Sequence, residues 1–218
     1  MLIGISGMIS SGKSTLSKKL IEHYEGHSLL IDEFTQNDEV FNTMLKWFYE
    51  KKPNLELSFQ TYVVEHHMEN VRKHLDKFDQ MGLDSKNDFL FLDRFGAEHY
   101  VFAMVNFKNL PEKTMKAYDA LFNELITPSE LPEFAIFLDV SYENFKNRLF
   151  KRGRDVEIEN YEKNETYFKE LYDVYKDTYI KVVEKYKINY AILDTNDLTE
   201  DQVLEEAVKL IEAYKASK

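Results

Sequence analysis

The chain has no cysteine among its 218 residues, which excludes disulfide staples and thiolate metal sites and suits a reducing compartment. Proline and glycine are scarce, at four and seven, so the sequence is neither fibrous nor rich in flexible linkers. No apolar run approaches the roughly 20 residues that a membrane-spanning helix needs, and no membrane partner is expected. The apolar start lacks a basic lead-in and is too short for a signal-peptide h-region, so the expected location is the cytoplasm. Positive charge is also in deficit: 28 lysines and arginines face 39 aspartates and glutamates, a formal net charge of −11. A protein that coats nucleic acid needs a net basic surface, so nucleic acid is not an expected partner. Any phosphate this chain handles must be met by a local basic cluster.

What is present is a full core. With 44% hydrophobic residues, the length suits one compact domain over 1–218. Continuous apolar runs predict strands at 2–6, 28–32, 88–92, 134–139 and 189–194. Runs without polar alternation belong to strands buried on both faces, as in a parallel sheet covered by helices. Helical patterns fill the intervals near 13–25, 38–50, 55–79, 97–107, 112–127, 141–152, 159–186 and 199–216, and Thr199 with Gln202 has capping-box spacing for the last. No repeat or low-complexity segment interrupts them. The fold class is α/β, a doubly wound five-stranded parallel sheet with helices on both faces.

The first predicted strand runs into Gly7-Met8-Ile9-Ser10-Ser11-Gly12-Lys13-Ser14, followed by Thr15. This matches G-x-x-x-x-G-K-[ST] between a strand and a helix, the context the motif requires. Glycines let backbone N–H groups curl around a phosphate, and the helix N-terminus adds its dipole. Lys13 is expected on the β/γ-phosphates and Ser14 on Mg²⁺. The motif names a phosphate donor such as ATP and leaves the acceptor open.

Doubly wound sheets bind ligands at the C-terminal ends of their strands, and three predicted strands end in charge: Asp32-Glu33, Asp93-Arg94 and Asp139. A hydroxyl acceptor needs a base, whereas an acceptor that already carries phosphate needs extra arginines. Glu33 is the candidate base, Arg94 the candidate holder of the transferring phosphoryl group, and Asp93 a candidate support for Mg²⁺ or its waters. A basic cluster, Arg148, Lys151, Arg152 and Arg154, stands at a helix end and the turn after it, around Gly153. This predicts an arginine-rich lid at about 148–158; a solvated helix face or helix C-terminal capping is the other reading of the same charges.

Taken together, these residues resemble the deoxynucleoside kinase family, which includes deoxycytidine, deoxyguanosine and bacterial deoxyadenosine kinases. The resemblance runs in order through "GMISSGKST", "IDEF", "WFYEKKPNLELSFQTY", "FLDRF", "RLFKRGRDVE" and "LDTNDLT". It implies a P-loop kinase fold and ATP-dependent phosphorylation of a deoxynucleoside 5′-hydroxyl. Glu33 matches the general base, Arg94 the phosphate-directed arginine, and Arg152 and Arg154 the lid arginines, with Arg148 ahead of them. Tyr49 and Gln60, eleven residues apart, match the sugar-binding tyrosine and the base-reading glutamine. Glu157 falls at a second ligand to the 3′-hydroxyl, and Asp197 in the loop that contacts the donor adenine. Trp47, Phe59 and Phe95 are candidates to pack on sugar or base, with core packing as the alternative.

Two departures stand out. Many members read Glu-Arg-Ser where this chain has Asp93-Arg94-Phe95, and the segment up to Tyr100 is one residue shorter. Glu98 therefore aligns only approximately with the position that helps choose the base. A purine deoxynucleoside is the favoured substrate, with deoxycytidine the alternative. The rival activity is a monophosphate kinase of the thymidylate kinase type, but Asp32-Glu33-Phe34 lacks the arginine such enzymes place beside their glutamate. A rival of another class is a P-loop regulatory protein with no small-molecule acceptor, against which the Tyr49 and Gln60 pair argues. The resemblance also implies a homodimer. The aromatic stripe Tyr161, Phe168, Tyr172, Tyr175, Tyr179 and Tyr186 is expected in the core.

Overall fold

A computed structural model describes residues 1–32, 38–153 and 161–218, with only the backbone at 162 and 163. Five strands, β1 (Leu2–Gly7), β2 (Ser28–Ile31), β3 (Phe89–Asp93), β4 (Phe134–Asp139) and β5 (Asn189–Asp194), form one sheet in the order β2-β3-β1-β4-β5. Every pairing is parallel. The described helices are α1 (Lys13–His23), α2 (Glu39–Tyr49), α3 (Glu56–Gln80), α4 (Tyr100–Asn106), α5 (Glu112–Leu125), α6 (Tyr142–Arg152), α7 (Tyr161–Lys185) and α8 (Glu200–Ala216).

The side chains of each strand alternate between two apolar layers, which explains why the runs read as continuous. Ile3, Ile5, Phe89, Phe91, Phe134, Ile136 and Leu138 meet Leu16 and Leu20 of α1 and Val203, Ala207 and Ile211 of α8. On the other face, Leu2, Leu90, Leu92, Ala135 and Phe137 pack with α3, α4, α5 and α7. The stripe of α7 belongs to this layer: Tyr161, Phe168, Tyr175 and Tyr179 are buried, as expected for core. Phe95 is fully buried and would lie 3.0 Å from a Cβ placed on Gly4 of β1. It fills the space a glycine leaves beside the sheet, so the core reading holds for it.

Thr199 and Gln202 form the predicted capping box. One predicted helix is divided. The stretch 97–107 is a short 3-10 turn, Gly96–His99, followed by α4. The tightening follows from close packing: a Cβ on Gly96 would meet Met68 Sδ at 2.3 Å and Ile126 Cδ1 at 3.2 Å. Gly96→Ala is therefore expected to destabilise the fold by about 1–3 kcal/mol through overpacking. This should show as a lower urea midpoint at unchanged slope; an unchanged midpoint would mean that Met68 moves aside at no cost.

The strand order places the functional loops. The chain passes from central β1 to edge β2, returns through β3, and continues on the other side of β1 at β4, so the order reverses around β1. Register sets Ile5 beside Asp93 and Gly7 beside Leu138. The loop after β1 and the end of β3 thus emerge together at the switch point, where such sheets take ligands.

Candidate active site

The loop after β1 is shaped by three residues with positive φ: Gly7 at 138°, Ser10 at 60° and Gly12 at 104°. Gly7 is required, because a Cβ there would lie 2.7 Å from the Leu138 carbonyl oxygen. Gly12 is the N-cap of α1, and that helix has neither a side-chain cap nor an acidic residue in its first turn. By contrast α2, α6 and α8 are capped by Asp38, Ser141 and Thr199. The first N–H groups of α1 and its positive dipole end thus have no carboxylate of their own turn against them, which suits an anion. Lys13 is buried and donates to the Gly7 and Met8 carbonyls at 3.1 and 3.0 Å. Ser14 donates to Asp93 Oδ2 at 2.5 Å, so hydroxyl and carboxylate stand together at the mouth of the loop.

Arg94 follows Asp93 at the end of β3 with φ of 72°, a left-handed conformation that costs about 1–2 kcal/mol for a side-chain-bearing residue. Its N–H donates to the Ile5 carbonyl at 2.9 Å, and its guanidinium lies 4.8 Å from the Phe102 ring. Nη1 pairs with Glu98 Oε1 at 3.0 Å. Burial pushes the Glu98 carboxyl up from the usual carboxylate range, opposed by the charges of Arg94 and Lys13.

A cavity of about 340 Å³ opens beside the loop. Its lining includes Lys13, Ser14, Lys18, Asp32, Asp93, Arg94 and Arg152. The same lining includes Tyr49 at the end of α2 and Gln60 near the start of α3, with Phe41, Leu45, Phe48, Phe59, Val63, Phe102 and Tyr167. Charged and aromatic side chains lining one cavity suit a molecule that carries both a phosphate and an aromatic group.

The structure thus gathers Lys13, Ser14, Asp93, Arg94, Arg152, Tyr49 and Gln60 around one space. Met8, Ser10 and Ser11 are buried within the loop, Ile9 faces the cavity, and Thr15 is exposed on α1. Arg148 does not line the cavity. It donates to the Ser11 carbonyl at 3.0 Å and to the Thr195 hydroxyl and carbonyl at 3.0 and 2.6 Å, tying the P-loop to the loop after β5. Asp197 is exposed in that loop. Glu98 is fully buried and absent from the cavity lining, because the 3-10 turn points it beneath the P-loop. Glu33, Arg154 and Glu157 lie outside the described residues.

His99 lines the cavity without having been singled out from the sequence. Its Nε2 is 2.9 Å from His67 Nδ1. Burial drives its pKa well below the usual histidine range, helped by His67 and Arg94, so it is neutral at pH 7. No spacing in the sequence announces it, because His99 belongs to the Gly96–His99 turn and meets His67 across 32 residues. Phe41, Leu45 and Phe48 line the cavity from one face of α2.

The sequence profile of the deoxynucleoside kinase family matches residues 3–214. An uncharacterized protein of Mycoplasma pneumoniae is 31% identical over 210 residues, which cover 92% of this chain and 86% of that protein. The deoxyguanosine kinase of Lactobacillus johnsonii is 28% identical over 188 residues, covering 83% of this chain and 77% of the enzyme. Among solved structures, deoxyadenosine kinase from M. mycoides with dCMP and a flexible dCDP bound superimposes with a TM-score of 0.75. It shares 20% identity and the match covers 98% of this chain and 100% of that one, a likeness of fold. Since the family profile takes in all five strands and most of α8, the chain belongs to the deoxynucleoside kinase family and is a phosphotransferase.

Proposed function

We propose that the protein transfers the γ-phosphoryl group of ATP to the 5′-hydroxyl of a purine deoxynucleoside, as a cytoplasmic homodimer serving nucleotide salvage. The observation that carries this reading is a single cavity whose lining combines Lys13, Ser14 and Arg94 with Tyr49, Gln60 and several aromatic rings. Resemblance to a deoxyguanosine kinase and a deoxyadenosine kinase supports a purine. Deoxycytidine is kept as the alternative.

In this reading Glu33 accepts the 5′-hydroxyl proton, and Tyr49 holds the deoxyribose 3′-hydroxyl together with Glu157. Gln60 reads the base edge with an amide that both donates and accepts. Lys13, Arg94, Arg152 and Arg154 stabilise the charge on the transferring group, which is the main task in phosphoryl transfer. The Ser14 hydroxyl and Asp93 carboxylate, 2.5 Å apart, are the hard oxygen donors that would hold Mg²⁺ with donor phosphates and water. When bound, that ion neutralises phosphate charge. Asp197 lies on the loop assigned to the donor adenine, and Arg148 fixes that loop to the P-loop.

The test is a product assay with ATP and Mg²⁺ against deoxyadenosine, deoxyguanosine, deoxycytidine, thymidine and dTMP. Formation of purine deoxynucleoside 5′-monophosphates with dTMP untouched is expected. Consumption of dTMP alone would overturn the hydroxyl-acceptor reading.

A further inference from the structure

Glu98 is absent from the cavity lining, yet its carboxylate is heavily engaged beside it. Three donors from three parts of the chain converge on its Oε1. They are the Gly7 N–H at 3.1 Å, Arg94 Nη1 at 3.0 Å and the Tyr175 hydroxyl at 2.7 Å. Arg94 Nη1 also donates to the Tyr175 oxygen, closing a three-membered ring of hydrogen bonds. Arg94, Glu98 and Tyr175 are 1%, 0% and 1% exposed. Tyr175 comes from the middle of α7, 81 residues from Arg94, and its ring stands 5.7 Å from the guanidinium.

A buried ion pair is a poor device for stability, because desolvation of both charges offsets their attraction and well-packed apolar residues often do better. Its strength is geometric. The carboxylate leaves the guanidinium one place to sit, and the tyrosine fixes the angle at which it sits there. The same oxygen takes the first P-loop amide, so loop and arginine are referenced to a common point. The strained φ of Arg94 fits this picture, since such conformations persist where surrounding contacts over-determine them.

We propose that Glu98 and Tyr175 are positioning residues that hold the Arg94 guanidinium and the Gly7 N–H of the P-loop as one preorganised unit against the transferring phosphoryl group. The proposal rests on the phosphate-directed reading of Arg94 and adds to it the residues through which that arginine acts. Preorganised donors cost no rearrangement at the moment of transfer, which is why their alignment appears in kcat.

The test compares Arg94→Gln, Tyr175→Phe, the double variant and Glu98→Gln in steady-state assays, with urea unfolding alongside. Tyr175→Phe removes a single hydroxyl and keeps the ring in the core, so the fold survives. It is expected to lower kcat by roughly 10- to 100-fold with both KM values little changed. Glu98→Gln should move kcat in the same direction. The double variant should be no slower than Arg94→Gln alone, because Tyr175 acts through the arginine. If Arg94→Gln is slow but Tyr175→Phe keeps full kcat, or if the two losses multiply, the positioning role is overturned while the role of Arg94 stands. If Arg94→Gln itself keeps full kcat, the phosphate-directed reading fails, and the positioning role with it.

Discussion

Glu33→Gln is expected to lower kcat by roughly 10²- to 10⁴-fold, the usual loss when a positioned base is removed. The residue follows Asp32, which lines the cavity, on the segment that leaves β2. Ile31 pairs with Leu92 in the sheet, and Asp32 lines the cavity together with Asp93 and Arg94. Glutamine keeps the size of glutamate and can still orient a hydroxyl, but it cannot take a proton at neutral pH. The loss corresponds to about 3–5 kcal/mol of transition-state stabilisation. The P-loop is untouched, so ATP binding should persist. Measuring kcat at saturation alongside binding of a non-hydrolysable ATP analogue separates the two effects. A variant that turns over at the parental rate would remove Glu33 as the base, and one that loses nucleotide binding would assign it to the donor side.

The sheet could be read from the sequence because each strand is buried on both faces and therefore appears as an unbroken apolar run. The helix starts were legible where a side chain caps them, as at Thr199. The P-loop was legible because its chemistry is local: two glycines, a lysine and a serine within eight residues do the work with their own backbone. Contacts that close over long intervals were not legible. Nothing in the spacing announces that Tyr175 meets Arg94, or that Arg148 reaches Ser11 across 137 residues. Glu98 shows the limit most clearly. Its place in the sequence, four residues after Arg94, fits a base reader about as well as a buried partner. In the structure the Gly96–His99 turn, packed against Met68 from another helix, sets Glu98 against Arg94 and the Gly7 N–H.

Lys13→Met is expected to cost about 10²- to 10³-fold in kcat, the loss typical of removing one preorganised donor from a developing negative charge. Methionine preserves the unbranched shape of the stem, and the neighbouring Leu16 and Leu20 keep α1 on the sheet, so the fold should be retained. What disappears is a buried ammonium that now donates to the Gly7 and Met8 carbonyls and stands within electrostatic reach of Glu98. Lys13→Arg should not restore the rate, because a planar guanidinium cannot take the place of a compact ammonium inside the turn of the loop. Tyr49 and Gln60, the proposed deoxynucleoside contacts, come from α2 and α3, so KM for the deoxynucleoside should change little. Initial rates at saturating deoxynucleoside, with urea unfolding as a control, check this. A folded Lys13→Met variant with an unchanged kcat would show that the lysine belongs to the architecture of the loop and not to phosphoryl transfer.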